Sequence, residues 1–185
     1  MPERTNLTVA KICHELANYL SVLNFIREDI VNEKEFDKVE LVKTIELLTH
    51  TMDFFRNIYS DNINYKSMIL ALKQICSLKG IVLSGCDDML VNINEKVKCV
   101  VYGLLYTIIK ISKTEDVVNV SKNKNNIVIS LPQGRTLPRT VSEVFSETIV
   151  DDDIFNVFAN YINEKAERNG YGIKATDSEI VVWKK

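Results

Sequence analysis

The sequence predicts an α+β protein with two parts, a helical hairpin at residues 1–61 and a mixed domain of helices and strands at residues 62–185. Apolar residues recur at helical spacing from about residue 7 to 32 and again from about residue 38 to 59, which predicts the two arms of the hairpin. Short apolar segments separated by turn residues follow, and these are typical of strands. Helices and strands mixed in this order favour helices packed on one side of a mostly antiparallel sheet.

The apolar positions of the two long helices spread wider than one partner helix can cover. In the second helix they include Val39, Val42, Ile45 and Met52. Two hairpins packed together as a four-helix bundle would bury these positions. We therefore expect the hairpin to form a dimeric four-helix bundle, which makes the protein a homodimer.

Residues 62–185 combine helix and strand patterns. Gly80 suits the position just after a helix, and Asn94 suits the position just before one. The predicted helices cover residues 63–79, 94–112 and 151–169, and the predicted strands cover residues 81–84, 89–93, 117–122, 127–131, 172–176 and 179–183.

The charge distribution argues against a nucleic-acid partner. Residues 1–61 carry 7 basic and 11 acidic side chains, a net charge of −4, and residues 62–185 carry 16 and 14, a net charge of +2. Neither part has the concentrated basic surface that binding to a phosphate backbone requires.

The cysteines and the apolar runs predict neither a metal site nor a membrane segment. The four cysteines show no CxxC spacing, so zinc would lack closely paired ligands and the thiols are expected to be reduced and mostly buried. The N-terminus has no signal-peptide pattern, and the longest apolar run, at residues 99–109, is about half of what a bilayer span needs. We expect a soluble cytoplasmic protein with no membrane partner.

His14 is the candidate reactive residue. Its position lies about 200° around the first helix from the apolar face, on a line with Lys11, Asn18 and Ser21. A solvent-facing imidazole is partly unprotonated near neutral pH and can attack an electrophilic phosphorus. The adjacent Glu15 could orient the ring or accept its proton, and Asn18 could position a phosphoryl oxygen or a water. On its own this pattern also fits an ordinary surface histidine.

Two motifs resemble those of a known family. His14-Glu-Leu-Ala-Asn18 on the first helix of a hairpin, followed by an α+β domain, resembles the dimerisation and phosphotransfer region of two-component histidine kinases. Met52-Asp-Phe-Phe-Arg-Asn-Ile-Tyr-Ser60 is similar to the end of the second helix in the ChpT-type histidine phosphotransferases of alphaproteobacteria. That family often has Asp where this chain has Glu15.

The resemblance implies a second domain with the α/β sandwich fold of a histidine-kinase ATPase whose nucleotide site is degenerate. Gly103 and Thr107 stand where the ATPase helix has asparagines that hold magnesium, and no DxGxG occurs in the chain. The strand at residues 127–131 continues into Pro132-Gln-Gly-Arg135 instead. We therefore expect no autokinase activity and no ATP as a cofactor.

The resemblance also implies a function, namely a phosphorelay in which His14 carries a phosphoryl group between receiver-domain aspartates. The implied partners are the receiver domain of a hybrid histidine kinase and a response regulator, and the receiver supplies the Mg²⁺, so the protein has no cofactor of its own. His14, Glu15 and Asn18 form the predicted catalytic set. The predicted docking residues for the response regulator are Lys11, Ser21, Val22, Phe25, Phe54 and Arg56.

Three alternatives remain open from the sequence. The dimer could be a noncatalytic scaffold that binds response regulators, with His14 incidental. It could be an ATP-dependent kinase, or a phosphatase in which Glu15 and Asn18 place water on the receiver's aspartyl phosphate. His50, near the middle of the second helix, is expected to be a structural or surface residue.

Overall fold

The computed structural model of the chain describes residues 2–32, 34–60, 62–86, 93–145 and 157–185. The side chains of residues 2–11, 14, 15, 139 and 140 lie outside this description. The chain divides into two compact units, Met1–Leu78 and Lys79–Lys185. The predicted domain boundary after residue 61 therefore lies inside the first compact unit.

The first unit begins with three helices, α1 at Pro2–Val31, α2 at Lys38–Ile58 and α3 at Tyr65–Lys79. Helix α2 begins where predicted because the Asp37 carboxylate accepts hydrogen bonds from the backbone N–H groups of Val39 and Glu40, at 2.8 and 3.1 Å. The short link between α1 and α2 makes them an antiparallel pair, and the two helices pack against each other. The predicted helical hairpin is thus present.

One side-chain contact fixes how the two arms of the hairpin line up. The Thr51 hydroxyl of α2 donates to the Tyr19 hydroxyl of α1 at 3.5 Å. Thr51 is fully buried and Tyr19 is half-buried, so this contact lies between the arms. Further towards the link, Ile26 of α1 is also buried.

The second unit alternates helices and strands, and this confirms the predicted α+β class. The predicted strand at residues 89–93 and the predicted helix start at residue 151 fall mainly outside the described residues. The described elements are β1 at Val82–Ser84, α4 at Glu95–Ile111, β2 at Val117–Asn123, β3 at Asn126–Ser130, α5 at Arg139–Phe145, α6 at Val157–Arg168, β4 at Tyr171–Ala175 and β5 at Glu179–Lys184.

The five described strands form one sheet in the order β1-β2-β3-β5-β4. Only β1 and β2 run parallel, and the other three pairs are antiparallel. Alternate residues of the central strands are buried, which gives the sheet one core face. Those residues are Val118, Val120, Ile127, Ile129, Ile180 and Val182.

Helix α4 is the most deeply buried of the described elements of the second unit. Asn94 caps its start, as predicted, by accepting from the backbone N–H of Lys96 at 2.9 Å. At its other end the Lys79 ammonium binds the carbonyls of Ile109 and Ser112, where a cation also meets the negative end of the helix dipole. The helix is apolar around most of its circumference because nearly every residue from Cys99 to Ile109 is buried.

Gly80 ends α3 in the left-handed conformation, with φ of +67°, as its predicted position after the helix implies. A Cβ at this position would lie 2.9 Å from the Thr114 methyl group, so the turn is close-packed as well as left-handed. The Thr114 hydroxyl donates to the Lys79 carbonyl at 3.2 Å, which holds this turn against the end of α3.

Candidate functional site

The candidate site follows one face of helix α1. His14 lies within the helix, and Asn18, Ser21 and Phe25 follow it at the spacing of successive turns on one side. From position 14 to position 25 this face extends about 16 Å along the helix axis. The side chains of Lys11, His14 and Glu15 lie outside the described part of the chain, so their predicted roles stay predictions.

The described side chains of this face are open to solvent. Asn18, Ser21 and Phe25 are exposed, and Val22, one step around the helix, is half-buried. The Ser21 hydroxyl donates to the Ala17 carbonyl at 2.9 Å, one turn back. Phe25 is 68% exposed, which is unusual for an aromatic side chain. We call Asn18, Ser21, Val22 and Phe25 the α1 surface.

Phe54 does not belong to an exposed docking surface, and its predicted exposure is wrong. Its side chain is fully buried, and its ring meets that of Phe55 edge to face at a centroid distance of 5.9 Å. The reason is that α2 buries a broad face, which takes in both phenylalanines. Any docking surface on α2 must therefore be formed by other residues.

Arg56 is such a residue, since it projects from the last turn of α2 into solvent. Its side chain is 79% exposed and pairs with the Asp53 carboxylate, three residues earlier, at 3.1 Å. An exposed ion pair of this kind contributes only about 0.2–1 kcal/mol, because water competes for both charges. The guanidinium is thus available to a stronger anion.

The hairpin places Arg56 at the same level as His14. Thr51 meets Tyr19 across the two antiparallel arms. Arg56 is five residues beyond Thr51 and His14 is five residues before Tyr19, so both lie about 7.5 Å further along the hairpin at 1.5 Å per residue. The ends of the link agree with this alignment, because α1 ends at Val31 and α2 begins at Lys38.

The ion pair of Asp53 with Arg56 was not predicted from the sequence. The signal was present, because an acid and an arginine three residues apart on a helix are placed to interact. His50 is half-buried in the middle of α2, six residues from Arg56, and lies at the level of Leu20 rather than of His14.

The cysteines and acids do not assemble a metal site among the described residues. Cys13 is exposed, whereas Cys76, Cys86 and Cys99 are buried. Burial raises the pKa of the Cys99 thiol, and the nearby Lys165 ammonium partly offsets this increase. Cys99 is therefore a protonated core residue rather than a reactive thiolate.

Two features of the second unit bear on the predicted loss of a nucleotide site. Gly103 is buried in α4, and the Thr107 hydroxyl donates to the Gly103 carbonyl of the same helix at 3.1 Å. After β3, Arg135 donates from Nε to the Asp116 carboxylate at 2.9 Å. Arg135 therefore pairs with the protein's own carboxylate.

Comparisons with known proteins place this fold. No protein-family model and no curated relative matches the chain. Among solved structures, a bacterial phosphotransferase superposes with a TM-score of 0.72 over 98% of this chain and 95% of its own, at 14% sequence identity. The histidine kinase AdeS of Acinetobacter baumannii matches with a TM-score of 0.46 at 13% identity, over 93% of this chain and 97% of its own. The chain thus shares its fold over nearly its whole length with a bacterial phosphotransferase.

None of the described helices combines the length and apolar character that a bilayer crossing needs.

Proposed function

We propose that this protein is a dimeric histidine phosphotransferase, in which His14 receives a phosphoryl group from the aspartate of one receiver domain and passes it to the aspartate of another. The observation that carries the proposal is a histidine position on an exposed face of the first hairpin helix, in a chain that has the fold of a bacterial phosphotransferase. Fold alone does not define a reaction, so His14 is the part that an experiment must test.

The α1 surface supports the proposal because it is suited to hold a protein rather than a small molecule. It combines the small polar side chains of Asn18 and Ser21 with the exposed ring of Phe25. An aromatic anchor surrounded by polar groups is typical of protein interfaces. We infer that a receiver domain covers this surface and so brings its aspartyl phosphate to His14.

The chemistry needs little from this chain beyond an accessible imidazole. The lone pair of Nε2 attacks phosphorus, and the new N–P bond forms as the P–O bond to the receiver aspartate breaks. The electron pair of that bond leaves with the carboxylate, and the imidazole proton stays on Nδ1. The reverse sequence delivers the phosphoryl group to a second receiver. The receiver contributes the Mg²⁺ of its own site, and the predicted roles of Glu15 and Asn18 are to orient the ring and to position a phosphoryl oxygen.

The decisive test is label transfer without ATP. Purified protein is incubated with Mg²⁺ and receiver domains that carry a labelled phosphoryl group, in parallel with a His14→Ala variant and a His50→Ala control. We expect an acid-labile, base-stable label on wild type and on His50→Ala, and none on His14→Ala.

A different result would favour the scaffold alternative. If wild type binds receivers but acquires no label from any of them, the protein is a binding module and His14 is incidental. Loss of label from the aspartate as free phosphate, abolished in Asn18→Ala, would instead support a phosphatase.

A further inference from the structure

The α1 surface ends at Phe25, and two acids follow it on the same side of the helix. Residues three and four apart are neighbours on a helix, so Glu28 and Asp29 both adjoin Phe25. Glu28 is exposed, and the side chain of Asp29 is 43% exposed. We call Glu28 and Asp29 the acidic edge.

Among the described residues, the charge of the acidic edge is only weakly compensated. Asp29 pairs with the Lys34 ammonium at 3.9 Å, and Lys34 is 66% exposed, so water competes for both charges. Arg27 is the only lysine or arginine between residues 12 and 31, and it projects about 160° around the helix from Phe25. The ring of Phe25 therefore lies next to negative charge, with no base of this stretch of α1 on its own side.

The two acids also occupy positions that a helix disfavours. They lie at the end of α1, which finishes at Val31 and has no basic residue in its last turn. The negative end of the helix dipole repels an acid there, so both carboxylates destabilise this end of the helix. Local rules of this kind are broken mainly at functional sites. The exposed ring and the two unfavourable acids fall within five residues, and folding of the helix requires none of them.

We propose that the acidic edge selects the receiver domain that docks on the α1 surface, by pairing with lysine or arginine side chains that border the receiver's apolar site for Phe25. This partner chemistry follows from complementarity, since an exposed ring needs an apolar pocket and carboxylates attract cations. Residues 1–61 carry 7 basic and 11 acidic side chains, a net charge of −4, and a field of this sign speeds encounter with a basic surface. The inference rests on the receiver docking of the proposed function and names the chemistry of the partner.

The test measures association of the full chain with purified receiver domains that carry no phosphoryl group, by stopped-flow fluorescence at low and high salt. The double variant Glu28→Gln/Asp29→Asn should slow association about fivefold at low salt, and the difference should shrink at about 0.5 M salt, because exposed charges are then screened. The same variant should melt at or slightly above the wild-type temperature, since no acid then opposes the helix dipole. Phe25→Ala should raise the dissociation constant about tenfold at both salt concentrations.

Glu167→Gln/Asp177→Asn is the matched control, because it removes the same two charges from exposed positions of the second unit. It should leave association unchanged. Equal slowing in the control would reduce the effect to net charge and overturn the inference. So would unchanged or faster association of the acidic-edge variant at low salt, or a wild type that binds no receiver. A wild type that binds receivers through the acidic edge but takes no label from them would instead refute the proposed phosphotransfer and support this inference.

Discussion

At the scale of single residues, the Asp116–Arg135 pair is a largely buried ion pair of the second unit. The Asp116 carboxylate accepts from Arg135 Nε at 2.9 Å and from the backbone N–H of Lys113 at 2.7 Å. The side chains of Arg135 and Asp116 are only 24% and 14% exposed, so this pair is better protected from water than the Arg56–Asp53 and Arg168–Glu164 pairs. The hydrogen bond from Arg135, followed by that from Lys113, holds the pKa of Asp116 below its ordinary value.

This lowered pKa predicts an acid-dependent loss of stability. Because the folded pKa lies below the unfolded one, the stabilisation is complete above the unfolded pKa and disappears as the pH falls through the folded pKa. Asp116→Asn should therefore melt a few degrees below wild type at neutral pH, and the difference should shrink in acid. Thermal unfolding of both proteins over a series of pH values measures this. As a control, Glu167→Gln, which breaks the exposed pair with Lys185, should change the melting temperature little. If Asp116→Asn melted below wild type by the same amount at every pH, the electrostatic account would be wrong.

Residue-scale expectations succeeded where helix periodicity alone decides exposure. Asn18, Ser21 and Phe25 were expected on one exposed face and are found there, since a regular helix fixes which positions share a side. The predicted docking role of Phe54 was wrong because periodicity gives the direction of a side chain but not what covers it. The adjacent Phe55 is buried as well, so α2 has a buried face wider than one neighbouring helix would produce.

At the scale of elements, α2 has a second apolar face that the described part of the chain leaves exposed. Val39, Val42, Ile45 and Met52 are 75%, 54%, 47% and 52% exposed. Their spacing places them on the side of α2 opposite the buried Thr44, Thr51 and Ile58. An apolar stripe along a helix that is already packed on its other side is typical of a surface that another helix covers. Together with Leu20 of α1, which is 51% exposed, it supports the proposed dimer.

The stripe predicts that one charge at its centre will separate the dimer. In a twofold-symmetric interface each substitution acts twice, and losing about 1 kcal/mol of apolar burial in each copy weakens association about 30-fold. Ile45→Glu should weaken association by more than this factor, because the introduced carboxylate must also be desolvated. Analytical ultracentrifugation over a range of concentrations measures the shift. Leu70→Glu is the matched control and should leave association unchanged, since Leu70 is 57% exposed on α3, outside the stripe. A wild-type protein that is monomeric would refute the four-helix bundle.

The bounds of the elements could be predicted only where a local signal marks them. Helix α2 starts at Lys38 as expected because Asp37 caps it. Helix α1 starts at Pro2 rather than near Leu7, since a proline in the first turn of a helix costs no hydrogen bond and gives no stop signal. No helix was predicted directly after Pro138, where the structure has the short helix α5, because seven residues are too few for a helical period to be recognised.

At the scale of the whole molecule, the class of fold followed from the sequence but the arrangement of the sheet did not. Most described strands lie within a residue or two of their predicted positions, because alternating burial is a local pattern. The order β1-β2-β3-β5-β4 depends on pairings between distant segments, such as Val82 with Val117 and Ile129 with Ile180, which no local pattern encodes. The extent of the first compact unit, to Leu78, is likewise a property of packing.

A relay protein and a kinase differ in their use of ATP, and this difference concerns the whole molecule. A nucleotide site of the kinase type needs carboxamides to hold magnesium and glycine-rich turns that let the backbone approach phosphate. Here α4 offers a buried Gly103 and a Thr107 hydroxyl bonded within its own helix, and the segment after β3 places Arg135 on Asp116. We therefore predict that the protein takes label from a phosphorylated receiver but not from ATP with Mg²⁺, and that calorimetry detects no ATP binding. Label from ATP on wild type that disappears in His14→Ala would show instead that the second unit is a working kinase domain, with a nucleotide held by groups other than these.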